Sequence, residues 1–91
     1  MAKVIFTNGV EQEVSPKNGT DFSLEEMQGI VGGYIEIMPL DKTGEIMVLN
    51  EEGKLMRLPL NEKATDYFLQ NSLFDDFIVG NVLVCNSIQV K

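Results

Sequence analysis

Histidine is absent from this 91-residue chain. That removes at one stroke the commonest general base, the usual activator of a nucleophile and the commonest metal ligand. Cysteine occurs once, as Cys85, so the chain cannot staple itself with a disulfide. Zinc, which needs four soft or imidazole ligands, finds at most one here. Cys85 lies inside an apolar run, the setting of a buried structural thiol rather than a nucleophile. Basic residues are scarce: seven against fourteen acids, a formal charge of −7. Direct nucleic-acid binding relies on lysine and arginine neutralising phosphates, so this balance argues against it. Long hydrophobic runs are missing too. No window approaches the ~18 apolar residues of a membrane span. A lone cysteine and no secretory leader lead us to expect a cytoplasmic protein.

What is present suits one small folded domain across residues 1–91. About 44% of the residues are hydrophobic and only three are prolines, enough apolar content to avoid disorder. The acidic excess fits plain solubility, and also fits docking on a basic partner surface.

Lys3-Val-Ile-Phe-Thr7 has strand composition, Asn8-Gly9 is a strong hairpin signal, and Val10-Glu-Gln-Glu-Val14 alternates as a return strand. A two-residue turn would put Val4 and Phe6 on one face with Glu13 and Glu11. A bulge, a longer loop or a first strand buried on both faces is therefore expected. Ser15 to Asp21 reads as a loop.

The next stretch, Ser23-Leu-Glu-Glu-Met-Gln-Gly-Ile-Val-Gly-Gly-Tyr-Ile-Glu-Ile, packs a helix start, a helix stop and a strand into one run. Ser23 and Glu26 form a capping box, and Phe22 with Met27 a hydrophobic staple. Leu24, Met27, Ile30 and Val31 share a helical face expected to pack on a sheet. Gly32-Gly33 supplies a left-handed C-cap. Gly29 costs up to about 1 kcal/mol against alanine, which suggests a close contact that retains it.

Tyr34-Ile-Glu-Ile-Met38 alternates and is expected to stop at Pro39. Glu45–Asn50 reads as its antiparallel partner, and Lys54–Leu58, after a turn at Gly53, as the third strand of a meander. Met38, Met47 and Met56 recur at strand-plus-turn spacing and read as core filling. Asn61 caps a second helix, Glu62–Gln70, with Ala64, Tyr67 and Phe68 inward. Phe77–Cys85 reads as a buried central strand, or as two strands kinked at Gly80-Asn81. Ile88 and Val90 form a short edge. The expected fold is α+β, mainly an antiparallel sheet of about five to six strands with two short helices packed on it.

Chemistry is harder to find. Asp75-Asp76 and Glu51-Glu52 lack calcium-loop spacing, and with so many acids some pairing arises by chance. Gly32-Gly33 follows a helix rather than opening one, the wrong polarity for cradling phosphate. No catalytic residue, metal site or cofactor is expected. One polar constellation remains: Asn50, Lys54, Arg57 and Asn61, with Arg57 a planar fork and Lys54 a point charge beside it. The asparagines serve equally as turn and cap, and the cations as edge-strand residues.

At these residues the chain resembles a family described as domain of unknown function 3846. The resemblance lies in Leu24-Glu-Glu-Met-Gln-Gly-Ile-Val-Gly-Gly-Tyr-Ile-Glu, in Asn50-Glu-Glu-Gly-Lys-Leu, in Leu58-Pro59 with Asn61, and more weakly in Asp76-Phe-Ile-Val-Gly80. It implies a small α+β protein of bacteria, their phages and mobile elements, particularly in gut-dwelling lineages, with no established activity. Its pattern keeps Gly32, Gly33, Tyr34, Asn50, Glu51, Gly53, Asn61 and Gly80. With the empty catalytic inventory, this implies a non-enzymatic accessory protein that binds a protein or small ligand. The alternatives are an acidic nucleic-acid mimic that blocks a DNA-binding protein, and a binder of nucleotide-like anions at Lys54 and Arg57. Short exposed strands and a core near minimum size leave a homodimer open.

Overall fold

In a computed structural model, which describes residues 2–90, the first hairpin settles its own register. Strand β1 (Ala2–Ile5) pairs with β2 (Glu11–Val14) so that Val4 faces Gln12 and Ile5 faces Glu11. The Phe6 N–H donates to the Val10 carbonyl at 2.9 Å and the Gly9 N–H to the Phe6 carbonyl at 3.0 Å, closing a three-residue loop with Gly9 at φ +88°. The longer loop shifts the pairing by one residue, and β1 is buried on both faces. Val4 packs into one core cluster and Ile5 into another.

Helix α1 (Leu24–Val31) starts and stops where its caps dictate. The Glu26 N–H donates to Ser23 Oγ and the Ser23 N–H to Glu26 Oε1, while Gly32 closes the helix at φ +82°. Phe22 and Met27 are both buried in one cluster, so the staple is formed. Leu24 departs from the expected inward face and is 55% exposed. Gly29 has open space where a side chain would stand, so no close contact retains it.

Strand β3 (Ile35–Leu40) runs through Pro39 and pairs antiparallel with β4 (Glu45–Asn50). Pro39 is tolerated because β3 is an edge strand. Helix α2 (Glu62–Asn71) is capped by Asn61, and its Ala64 and Phe68 are fully buried, with Tyr67 half-buried beside them. Burying a phenylalanine of this kind stabilises the fold by about 1.5–3 kcal/mol. Strand β5 is only Val82–Asn86. Gly80, at φ +76°, breaks the apolar run before it, and Val79 makes an isolated antiparallel bridge to Leu60. The kinked reading of Phe77–Cys85 is therefore closer to the structure than one continuous strand. Ile88 lies in a 3-10 turn (Ser87–Gln89), and Val90 makes a single parallel bridge to Phe22, so the expected edge strand is not formed.

The five strands form one antiparallel sheet in the order β2-β1-β5-β4-β3. Side chains alternate across it. Val48, Leu83 and Cys85 join Met27 and Val31 of α1, while Met47, Leu49, Val82 and Val84 join Ala64 and Phe68 of α2. The helices therefore cover opposite faces, and the central strands β5 and β4 read as continuous hydrophobic runs for that reason. The fold is α+β. Among the described residues no helix is long and apolar enough to cross a membrane.

Candidate binding surface

The four residues singled out in the sequence separate into two kinds. Asn50 and Asn61 are buried and fully engaged. Asn61 donates from Nδ2 to the carbonyls of Ile5 and Gly80, both at 2.9 Å, and its Oδ1 accepts the Ala64 N–H at 3.0 Å. Asn50 donates to the Val31 carbonyl at 3.2 Å, contacts Met56 Sδ, and accepts the Glu52 N–H at 2.8 Å. They join segments distant in sequence. Lys54 and Arg57, by contrast, are exposed on one loop.

That loop replaces the expected strand Lys54–Leu58. The Met56 N–H reaches the Glu52 carbonyl at 2.9 Å, one helical turn. The Leu58 N–H then bonds the Gly53 carbonyl at 3.0 Å and the Arg57 N–H the Lys54 carbonyl at 3.2 Å. This nested pair is a Schellman closure, with Arg57 at φ +56° in the left-handed position that glycine normally fills. Gly53 is required at the start of the turn, because a Cβ there would stand 2.9 Å from Val79 Cγ2 and 3.3 Å from the Asn50 carbonyl oxygen. Gly80 meets Leu58 in the same way, at 2.8 Å.

The coil brings residues 51–57 against a second loop, 72–77. Lys54 Nζ pairs with Asp76 Oδ1 at 2.6 Å and sits 4.2 Å from the centre of the Phe77 ring. Asp76 Oδ1 also accepts the Phe77 N–H at 2.8 Å, so one carboxylate orients both loops. Such an exposed pair contributes about 1 kcal/mol at most, and a cation over a ring about as much again. Between these loops and β3 lies a cleft of about 200 Å³, lined by Glu36, Met38, Leu49, Glu51, Lys54 and Phe77 among others.

The loops expose large apolar side chains: Leu55 at 84%, Leu73 at 74%, Phe74 at 59% and Phe77 at 52%. Met56, expected in the core, is also exposed. Single exposed apolar residues are ordinary, but four or five on two tethered loops make these loops the candidate surface. The sequence reading missed this surface because Leu73 and Phe74 looked like a connection and Phe77 like the start of a buried strand. The available signal was Asp75-Asp76 between two phenylalanines, which is poor composition for a core.

A larger cavity, about 350 Å³, lies on the α2 face among Lys3, Glu11, Glu13, Glu45 and Tyr67. Its groups are largely spent on one another. Glu11 pairs with Lys3 at 2.9 Å and Lys63 at 3.3 Å, and Lys3 rides 4.4 Å over the Tyr67 ring. Hydrogen bonds from these lysines hold the Glu11 carboxyl below its ordinary value. The Tyr67 hydroxyl donates to Glu45, and burial, then this bond, push it up to about 12. We favour the smaller cleft as the site, since Lys54 and Phe77 in its lining belong to the two loops that expose these apolar side chains. Among the described residues no group of three or more acidic, histidine or cysteine side chains is arranged to hold a metal ion, and no buried side-chain polar atom lacks a partner. Burial, with Glu45 second, pushes the Cys85 thiol up to about 11, leaving almost no thiolate near neutrality.

The sequence profile described as domain of unknown function, DUF3846, matches residues 4–89, nearly the whole chain. The chain belongs to this family. No curated protein and no solved structure matches it. The matched span takes in both loops, the cleft, strands β2 to β5 and the second half of β1 in the DUF3846 domain described above.

Proposed function

We propose that this DUF3846 protein is a non-enzymatic accessory protein of a phage or mobile element that works by binding a partner protein through loops 51–57 and 72–77. The observation that carries this reading is the exposure of Leu55, Leu73, Phe74 and Phe77 on two loops bridged by Lys54 and Asp76. Loops that present apolar groups on a rigid scaffold are the usual place for recognition. The lack of histidine and the buried, protonated Cys85 support a role without covalent chemistry. Capture of a nucleotide-like anion has less support, because the Lys54 ammonium is already held by a carboxylate.

Site-directed photocrosslinking in a bacterial lysate tests the reading. A crosslinker at position 55 or 74 should trap one discrete partner band, whereas one at Gln12, on the opposite sheet edge, should not. Equal, diffuse labelling from all three positions would sink it.

A further inference from the structure

The sheet ends differently on its two sides. On β2 the edge is Glu11-Gln12-Glu13, all exposed, the charged edge that proteins use to discourage strand pairing. On β3 the edge is Ile35-Glu-Ile-Met-Pro-Leu40, with a single charge. The Glu51 N–H donates to the Tyr34 carbonyl at 2.9 Å, continuing the β3–β4 register by one pair. Hydrogen-bonded pairs alternate along an antiparallel ladder. Glu36, Met38 and Leu40 therefore turn their backbone groups toward β4, and Ile35, Ile37 and Pro39 turn theirs outward. Pro39 fits that assignment, since its missing N–H falls on the side with no strand. Ile37 is 44% exposed beside these outward groups, so the edge is open.

The same strand borders the cleft. Glu36 and Met38 line it together with Glu51 and Phe77. A strand laid along β3 would thus meet free backbone donors and acceptors at Ile35 and Ile37. On its α2 side, every second side chain would point toward Glu36, Met38 and the cleft. Asp76 is occupied by Lys54, but no described salt bridge engages Glu36 or Glu51. Main-chain bonds supply affinity and alternate side chains supply specificity in this mode of recognition.

We infer that the β3 edge docks an extended segment of a partner protein as a sixth strand, with basic side chains at alternate positions facing Glu36 and Glu51. The inference rests on the binding reading above and names its partner class. A second copy of this chain is the poorer occupant, because its own β3 brings another Glu36 and its net charge is −7.

The test uses two labelled nine-residue peptides, one alternating valine with lysine and one alternating valine with glutamate. Fluorescence anisotropy should show saturable binding of the lysine peptide and at least tenfold weaker binding of the glutamate peptide. Amide exchange at Ile35 and Ile37 should slow at least tenfold on binding. Ile37→Pro removes an outward N–H and leaves the β3–β4 ladder intact, so it should weaken binding tenfold with an unchanged circular dichroism spectrum. Glu36→Lys, at an exposed position, should shift preference toward the glutamate peptide. No binding, or binding that ignores both variants and leaves Ile35 and Ile37 exchange unaltered, would overturn strand addition. A peptide-free dimer with Ile37 already protected would overturn it in favour of a second copy. Crosslinking from positions 55 and 74 is read separately, so the loop surface can stand where strand addition fails.

Discussion

Asn50 and Gly33 share one space: a Cβ on Gly33 would stand 3.0 Å from Asn50 Nδ2. That nitrogen is held by the Val31 carbonyl at the end of α1, so the glycine after the helix lets a strand side chain reach back and tie the two together. Asn50→Ala leaves the buried Val31 carbonyl and the part-buried Glu52 N–H short of partners, at a cost of about 1–3 kcal/mol. Gly33→Ala should cost about 1 kcal/mol by displacing the amide. The two effects should not add, because the second substitution has no amide left to displace. Urea unfolding of the single and double variants measures this. Strict additivity would remove the claimed contact.

Asn61 is a deeper node, linking β1, the Gly80 kink and the start of α2 through bonds 56, 19 and 3 residues distant in sequence. Asn61→Ala should therefore cost roughly 2–4 kcal/mol, the loss of a helix cap plus two stranded carbonyls. Asn61→Asp should cost no less, since it retains the cap but places a carboxylate against those carbonyls. Denaturant midpoints at neutral pH test both, and an aspartate variant as stable as wild type would contradict this account.

The elements readable from sequence were those encoded within a few residues. Ser23 and Glu26, Gly32 and Asn61 each mark a helix end through contacts to near neighbours, and the structure has them where expected. Lys54–Leu58 failed because its coil is closed at Arg57, a residue that carries no turn signature and reaches positive φ within the Schellman closure. Leu24 failed because a helical face was projected without knowing how α1 sits on the sheet. The candidate site split for a similar reason. Nothing local to Asn50 or Asn61 reveals carbonyls 19 or 56 positions away, whereas Lys54 and Arg57 were found on the surface. The apolar loop 72–77 becomes visible as a surface only once Phe77 is placed outside the core.

Two glycines should answer alanine with opposite signs. Gly29 faces open space within α1, so Gly29→Ala should stabilise by up to about 1 kcal/mol through helix propensity alone. In a domain this small that raises Tm by about 4–8 °C per kcal/mol. Gly53→Ala must push Val79 or the Asn50 carbonyl aside and should destabilise by about 1–3 kcal/mol. Thermal melts of the two variants separate the predictions, and a Gly53→Ala melt at or above wild type would refute the packing argument.

Cys85 gives the chain an alkaline limit with a defined sign. Burial raises the thiol from 9.0 to about 11 in the folded state, so the folded chain holds its proton where the unfolded chain has lost it. The stabilisation tied to that proton is complete below pH 9. It shrinks as the unfolded thiol ionises and is gone above pH 11. Tyr67, raised from 10.0 to about 12, adds a second loss over a slightly higher window. The urea midpoint of wild type should fall steeply from pH 9 to 11, and that of Cys85→Ala less steeply, whatever their difference at neutrality. At pH 8 an aromatic disulfide reagent should titrate Cys85 at least tenfold more slowly in buffer than in urea. Equal rates would mean that the thiol is reachable in the folded chain, and the buried-thiol account would fall with that result.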